Sequence, residues 1–148
     1  MKKIFLSLPM KGRKDKDIIV TIERMKAMIK MYYPNEDIEF VHNYNPLLTK
    51  ELEQFKQTMP DLVKNEAVWY LGTAIKLLAG CDELYTVGES EGYNRYYSKG
   101  CLSEIRICDI YDIPVRCLNN INNYLTPDLK AEEEKATCST GPAPTGKK

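Results

Sequence analysis

Short apolar runs alternate with amphipathic stretches along the first 118 residues of the chain. Four of these runs are bounded by prolines, glycines or polar residues, which predicts short buried strands. The predicted strands cover residues 3–8, 37–41, 83–87 and 114–118. The first of them ends at Pro9, where the chain enters a loop.

Between the strands, apolar residues recur every three or four positions, as they do on the buried face of a helix. This spacing predicts helices over residues 14–33, 47–59, 65–79 and 97–111. Pro34, Pro60 and Gly80 mark the ends of the first three. Residues 119–124 are expected to add a short last element. The positions expected to face the core are Ile18, Ile19, Ile22, Met25, Met28, Ile29, Tyr32, Val68, Leu71, Ile75, Leu77, Leu78, Leu102, Ile105, Ile107 and Ile110.

Strands that alternate with helices predict an α/β fold built on a parallel sheet. With right-handed crossovers this becomes a small doubly wound (flavodoxin-like) sheet of four to five strands with helices on both faces. We expect one domain over residues 1–126. Residues 127–148 lack apolar periodicity and are expected to form a flexible tail. Ligands of such folds bind beyond the carboxyl ends of the strands, so the loops of interest span residues 7–13, 42–46 and 88–98.

Composition narrows the function classes. The 148 residues include 43% hydrophobic positions and equal numbers of basic and acidic residues, so the formal net charge is zero. This balance argues against a dedicated DNA- or RNA-binding protein. No apolar stretch reaches the ~20 residues that span a membrane, and the N-terminal apolar run is too short for a signal peptide. A cytoplasmic protein without membrane contacts is therefore expected.

The charges are unevenly distributed. Residues 1–33 hold nine basic and three acidic side chains, a net charge of +6, and the remainder carries −6. This distribution favours a single anionic ligand near the N-terminal region. The five cysteines include no CxxC pair and the chain has one histidine, so no metal site is expected. Four of the five cysteines lie in apolar surroundings and are interpreted as buried, reduced thiols.

The loop from Ser7 to Arg13 combines a hydroxyl group, two cations and backbone N–H groups at the start of a helix. Such a loop suits a phosphate or another anion, and Pro9, Met10 and Gly12 shape it. Arg13 can bind an anion through two parallel hydrogen bonds. The P-loop motif GxxxxGK[ST] is absent. An ordinary basic turn is the alternative interpretation.

The segment Ser98-Lys99-Gly100-Cys101-Leu102-Ser103-Glu104 leads into the last helix. Ser98 is the expected N-cap, and Gly100 allows a ligand to approach the backbone closely. Glu104 lies between apolar neighbours near the strand ends, where a carboxylate can serve as a nucleophile or a base. The alternative is a solvated glutamate, paired with Arg106 or Lys99.

Aromatic residues are dense around the third strand. They are Trp69, Tyr70, Tyr93, Tyr96 and Tyr97. Their rings can stack on a base and their hydroxyl groups can orient a sugar, or they cover a sheet edge or a subunit interface. His42 follows the second strand and is expected to line the rim of the cleft, with a catalytic base as the alternative.

Several of these motifs together resemble the nucleoside 2-deoxyribosyltransferase-like superfamily. They are Ser-x-Pro-Met-x-Gly-Arg from Ser7, Trp69-Tyr70-Leu71-Gly72, Cys81-Asp82-Glu83-Leu84, Ser98-x-Gly100-x-x-x-Glu104 and Ile113-Pro114-Val115. The resemblance is closest to small bacterial and phage members and more distant to deoxynucleotide N-hydrolases. It extends from about Lys2 to Leu118.

The resemblance implies a chemistry like that of retaining glycosidases. A glutamate, matched by Glu104, attacks the anomeric carbon of a nucleoside or nucleotide and displaces the base. Ser98 matches the serine that holds the 5′ end or phosphate, and Arg13 matches a cation of the first loop. The resemblance further implies a homo-oligomer that needs no cofactor. Hydrolysis of the N-glycosidic bond and transfer of the sugar are both consistent with it.

One departure from the family pattern concerns the general acid. The family's catalytic aspartate falls at Ala74, which has no carboxylate. Tyr70 and Glu66 share its helical face and are the candidates to replace it, with Tyr70 taken as the second catalytic residue. The missing acid leaves a non-catalytic protein that binds or sequesters a nucleotide as the alternative function.

A second resemblance involves the same helix. Ser98-x-x-Cys101-x-x-Glu104 is similar to the serine–cysteine–glutamate stretch of TIR domains. Some of these cleave the N-glycosidic bond of NAD with a glutamate, so a TIR-like NAD hydrolase is a second alternative. Both resemblances assign Glu104 to an N-glycosidic bond.

Overall fold

A computed structural model describes residues 1–10, 12–87, 98–119 and 121. The described elements are β1 (Lys2–Ser7), α1 (Asp15–Tyr32), β2 (Ile38–Val41), α2 (Leu47–Thr58), α3 (Glu66–Leu78), β3 (Glu83–Val87), α4 (Lys99–Ile110) and β4 (Val115–Leu118). Each end lies within two residues of the position that the sequence predicts. The predicted tail at 127–148 and most of the predicted element at 119–124 lie outside the described residues.

The four strands form one sheet in which every pair is parallel. Their order is β2-β1-β3-β4, which confirms the small doubly wound α/β fold predicted from the sequence. β1 and β3 are the central strands, and Ser7 pairs in register with Thr86. Because the strands are parallel, their carboxyl ends meet at one edge of the sheet. Ligands of such folds bind beyond this edge.

Helices cover both faces of the sheet. On one face α1 packs through Ile18, Ile22, Met25 and Ile29 against Ile4, Leu6, Leu8, Tyr85 and Val87. On the other face α3 and α4 pack through Ala74, Leu78 and Cys108 against Phe5 and Leu84. Successive side chains of a strand point to opposite faces. Ser7 therefore lies on the face of Phe5, and Thr86 on the face of Leu84, which is the face that α4 covers.

Several positions predicted to face the core are exposed. They are Ile19, Tyr32, Val68, Leu77, Leu102 and Ile110. A helix that packs on one face of a sheet buries only one stripe, so of two consecutive apolar residues, such as Leu77 and Leu78, one points outward.

The cysteines interpreted as buried differ in their exposure. Cys101 and Cys108 are buried and Cys81 is half-buried, but Cys117 is exposed because β4 is an edge strand. None of the described helices has the length and apolar content needed to cross a bilayer.

Glu83 anchors a hydrogen-bonded cluster at the amino edge of the sheet. Its carboxylate accepts from Lys2 Nζ at 2.6 Å, from the Arg116 guanidinium at 3.0 Å and from the Tyr33 hydroxyl at 3.0 Å. Burial by itself raises the pKa of Glu83, but the hydrogen bonds from Lys2, Arg116 and Tyr33 outweigh it and leave the pKa below its usual value. The cluster joins β1, β3, β4 and the end of α1.

Replacing Glu83 with glutamine is expected to lower the free energy of unfolding by about 1–3 kcal/mol at pH 7, because the buried cluster loses its negative charge and one of its two acceptor oxygens. The lowered pKa means that the stabilisation is present above the unfolded-state pKa and is lost as the pH falls through the folded-state pKa. Urea unfolding at pH 7 and pH 3.5 measures both effects. Glu39→Gln, an exposed site on β2, is the control. An equal loss at the two pH values would contradict the assignment.

Candidate functional site

The candidate site lies at the carboxyl edge of the sheet, beneath α4. Ser7 is the last residue of β1, and Thr86 lies beside it near the end of β3. Both side chains are buried, although each carries a hydroxyl group. Two buried hydroxyl groups thus lie side by side at the carboxyl ends of the two central strands.

Glu104 meets Ser7 directly. The Ser7 hydroxyl donates to Glu104 Oε1 at 2.6 Å, which joins two residues that are 97 positions apart in the sequence. Glu104 is only 7% exposed, so the alternative of a solvated glutamate is wrong. Within the part of the chain that the structure describes, Glu104 Oε2 accepts no hydrogen bond. The Ser7 hydroxyl therefore holds the carboxyl group at Oε1, and no other described residue is hydrogen-bonded to it.

Burial determines the ionisation of this carboxyl group. It raises the pKa of Glu104 to about 7, and the hydrogen bond from Ser7 opposes only part of the increase. Glu104 is therefore partly ionised at neutral pH. A carboxyl with such a pKa can act as a nucleophile when ionised and exchange a proton near pH 7, which is the kind of perturbation found at catalytic sites.

The local sequence of α4 explains why Glu104 points inward. Ser98 caps the helix by accepting from the Cys101 backbone N–H at 3.3 Å, as predicted. Cys101, Glu104 and Cys108 follow at spacings of three and four, so they share the face that packs on the sheet. Burial raises the pKa of the Cys101 thiol, against the effect of hydrogen bonds with the Ser7 and Ser98 hydroxyls. The Cys101 thiol therefore stays protonated at neutral pH.

Arg13 is held on the side of α1 rather than against Glu104. Its guanidinium donates to the Pro9 carbonyl at 3.0 Å, to the Asp17 carbonyl at 3.3 Å and to the Thr21 hydroxyl at 2.7 Å. These hydrogen bonds fix the first loop onto the helix that follows it. Within the loop, Gly12 has φ +79°, a left-handed conformation that favours glycine.

Met10 packs against the core on the α1 face, and Gly100 lies exposed in the first turn of α4. A side chain at Gly100 would meet no atom within 4 Å. The structure thus positions both residues at the carboxyl edge without joining either to Glu104. The close approach of a ligand to Gly100 stays a prediction.

Tyr70 and the loop after β2 form a second group. Asn43 Nδ2 donates to the Tyr70 carbonyl at 3.0 Å, and Thr73 Oγ1 donates to the same carbonyl at 2.7 Å. The Tyr70 hydroxyl lies 3.2 Å from Thr49 Oγ1 on α2. The hydrogen bonds of Asn43, Thr73 and Thr49 thus connect the loop after β2 with α2 and α3, and they do not include Glu104.

His42 lies in the same loop. Burial and the charge of Lys26 lower the pKa of this half-buried residue, so its imidazole is neutral at pH 7.

Ala74 lies in the core where the resemblance calls for a carboxylate. It is 1% exposed and belongs to the apolar cluster with Phe5 and Leu84. Glu66 is exposed and forms an ion pair with Lys56 on α2. No described carboxylate other than Glu104 is hydrogen-bonded to Ser7.

A shallow cavity of about 270 Å³ lies before and within the first turn of α3, and neither Ser7 nor Glu104 lines it. Its lining residues are Leu62, Val63, Lys64, Asn65, Val68 and Trp69. The rings of Trp69 and Tyr70 meet edge to face at 5.1 Å. Tyr93, Tyr96 and Tyr97, predicted to complete an aromatic cluster, lie outside the described residues.

Sequence reasoning singled out Ser7 and Glu104 separately but missed their contact, and it missed Thr86 altogether. A hydroxyl residue inside the otherwise apolar end of the third strand was the signal for Thr86. No family model matches this sequence, and neither a curated protein nor a solved structure matches it. The site must therefore be interpreted from its own geometry.

Proposed function

We propose that this protein cleaves or transfers the N-glycosidic bond of a nucleoside or nucleotide, with Glu104 as the nucleophile. The observation that supports the proposal is the buried Glu104 carboxyl, bonded by Ser7 at Oε1 and without a hydrogen bond at Oε2 within the described residues. The resemblance of the Ser7–Arg13 and Ser98–Glu104 motifs to deoxyribosyltransferase-like enzymes supports the same assignment.

The proposed first step forms an ester. Glu104 Oε2 attacks C1′ of the sugar, the C1′–N bond breaks, and its electron pair moves to the departing base, which takes up a proton. In hydrolysis, water then attacks C1′, the C1′–Oε2 bond breaks to restore the carboxylate, and a water proton is released to solvent. In transfer, the nitrogen of a second base replaces the water.

Ser7 supports this step through its hydrogen bond. A hydroxyl that donates to Oε1 fixes the carboxylate plane and leaves Oε2 directed at the substrate. Arg13 and Ser98 are the proposed contacts to the 5′ end or phosphate of the substrate, and the basic charge of residues 1–33 favours an anion there.

The test is a base-release assay on a defined panel. The chain is incubated with 2′-deoxynucleosides, ribonucleosides, their 5′-monophosphates and NAD, and free base is quantified chromatographically with and without an acceptor base. Release from a deoxynucleoside or its monophosphate supports the proposal, and base exchange identifies a transferase. Release from NAD alone would support the TIR-like alternative instead.

A second candidate function is nucleotide binding without catalysis. The observation that favours it is Ala74, which packs in the apolar core at the position of the family's catalytic aspartate. General acid catalysis contributes about 10²–10⁴-fold to the rates of such reactions. A site that has lost its general acid can therefore still bind a nucleotide while cleaving it very slowly. Calorimetry that detects nucleotide binding, with no base released over long incubation, would favour this candidate.

Tyr70 is the proposed replacement for the missing acid. If its hydroxyl protonates the departing base, Tyr70→Phe lowers base release about 10²-fold. Thr49→Val removes the same Tyr70–Thr49 hydrogen bond but keeps the phenol, so it is the matched control and should retain activity. Steady-state rates of the two variants decide the question, and equal effects would show that only the α2–α3 contact matters.

A further inference from the structure

Thr86 is a buried threonine near the end of β3 whose hydroxyl group has no partner among the residues that the structure describes. Its side chain has no solvent-accessible surface, and its Oγ1 makes no hydrogen bond to the described residues. A buried hydroxyl without a partner loses its hydration and gains nothing in return, which is comparable to losing a whole hydrogen bond. Valine would fill nearly the same volume without this loss.

Thr21 shows how the same fold treats another buried threonine. It is 1% exposed, and its hydroxyl donates to the Asp17 carbonyl at 2.9 Å and accepts from Arg13 at 2.7 Å. The hydroxyl of Thr21 is thus used within the chain. The hydroxyl of Thr86, in contrast, makes no hydrogen bond with any described residue.

The position of Thr86 relates it to the candidate site. It pairs in register with Ser7, and both side chains point to the face covered by α4. Because Ser7 is bonded to Glu104, the unpaired hydroxyl lies one strand spacing from the hydroxyl that holds the carboxyl group. Groups of a substrate next to C1′ would therefore meet Thr86.

We infer that Thr86 is a ligand-binding residue of the Glu104 site, whose hydroxyl bonds to a sugar hydroxyl of the substrate. The inference rests on the proposed function, which supplies the sugar. Since Thr86 has no exposed surface, the side chains that cover it must move when the ligand enters. The hydroxyl then gains a partner that the described part of the chain does not provide.

The experiment compares Thr86→Val, Thr86→Ser and Thr21→Val with the wild type. Thr86→Val is expected to raise the melting temperature by about 4 °C, and Thr21→Val to lower it by at least as much. On the deoxynucleoside that the wild type cleaves best, Thr86→Val should lower kcat/KM about tenfold, the effect of one lost hydrogen bond. Thr86→Ser retains the hydroxyl and should keep most of the activity.

The outcomes separate this inference from the proposed function. A melting temperature of Thr86→Val below that of the wild type, or an unchanged kcat/KM, overturns the role of Thr86 while the wild-type activity stands. If the wild type binds nucleosides without cleaving them, a tenfold larger dissociation constant in Thr86→Val supports the role of Thr86. In that case only the proposed catalytic activity is contradicted. If the wild type neither binds nor cleaves any member of the panel, both conclusions fall.

Discussion

Replacing Glu104 with glutamine is expected to lower base release by at least about 10³-fold and to leave nucleotide binding within about threefold of the wild type. Loss of a covalent nucleophile removes the ester-forming step, whereas glutamine keeps the shape of the side chain and an acceptor for the Ser7 hydroxyl. Base release and calorimetric binding are measured on the same preparations. Asp109→Asn, an exposed change on the same helix, is the matched control and should behave as the wild type.

The pH profile adds a second readout to this variant. Only the ionised carboxylate can attack, so kcat/KM of the wild type should rise with pH and level off above the raised pKa of about 7 of the free protein. A contaminating glycosidase would release base equally in the Glu104→Gln preparation. Normal turnover by pure Glu104→Gln protein would exclude Glu104 as the nucleophile.

The second large effect concerns stability rather than rate. Glu104 titrates near its ordinary value of about 4.3 in the unfolded chain but at about 7 in the folded chain. For a carboxyl whose folded pKa is raised, stability is fully present below the unfolded pKa and is lost as the pH rises through the folded pKa. Glutamine at this position cannot ionise. The free energy of unfolding of Glu104→Gln should therefore exceed that of the wild type by about 3 kcal/mol above pH 7.5.

The difference between the two proteins should be small at pH 4 and grow by about 1.4 kcal/mol for each pH unit up to about pH 7. Urea unfolding at pH 4, 6 and 8 measures it, with Asp109→Asn again as the control. A difference that does not change with pH would mean that the Glu104 carboxyl ionises as easily in the folded chain as in the unfolded one.

The fold could be predicted from the sequence because it depends on periodicity. Runs such as residues 3–8 and the three- and four-residue spacing of α1 identify the elements locally, and their alternation dictates parallel pairing. What periodicity does not contain is which of two adjacent apolar residues points outward. The exposed side chains of Ile19 and Leu77 show this, because their orientation depends on how the helix rotates against the sheet.

The candidate site could be predicted only as separate residues. Ser98 as a cap is a property of one helix, so local reasoning finds it. The local sequence around Glu104 left a solvated and a buried glutamate open, and its burial decides between them. The Ser7–Glu104 bond depends on strand order and on the face to which Ser7 points, and a separation of 97 positions hides it from any local pattern. The hydrogen bonds of Arg13 to its own helix were equally hidden, because they depend on the path of the first loop.

Two buried carboxyl groups occupy opposite edges of the sheet, and their proton affinities are shifted in opposite directions. Glu83 is stabilising when ionised and Glu104 when protonated, so the combined contribution of these two groups to stability is largest at mildly acidic pH, where both conditions hold. The charged form of Glu104 exists mainly at higher pH, where part of that stability has been lost. The form of Glu104 that the proposed reaction needs is therefore not the form that contributes most to the stability of the fold.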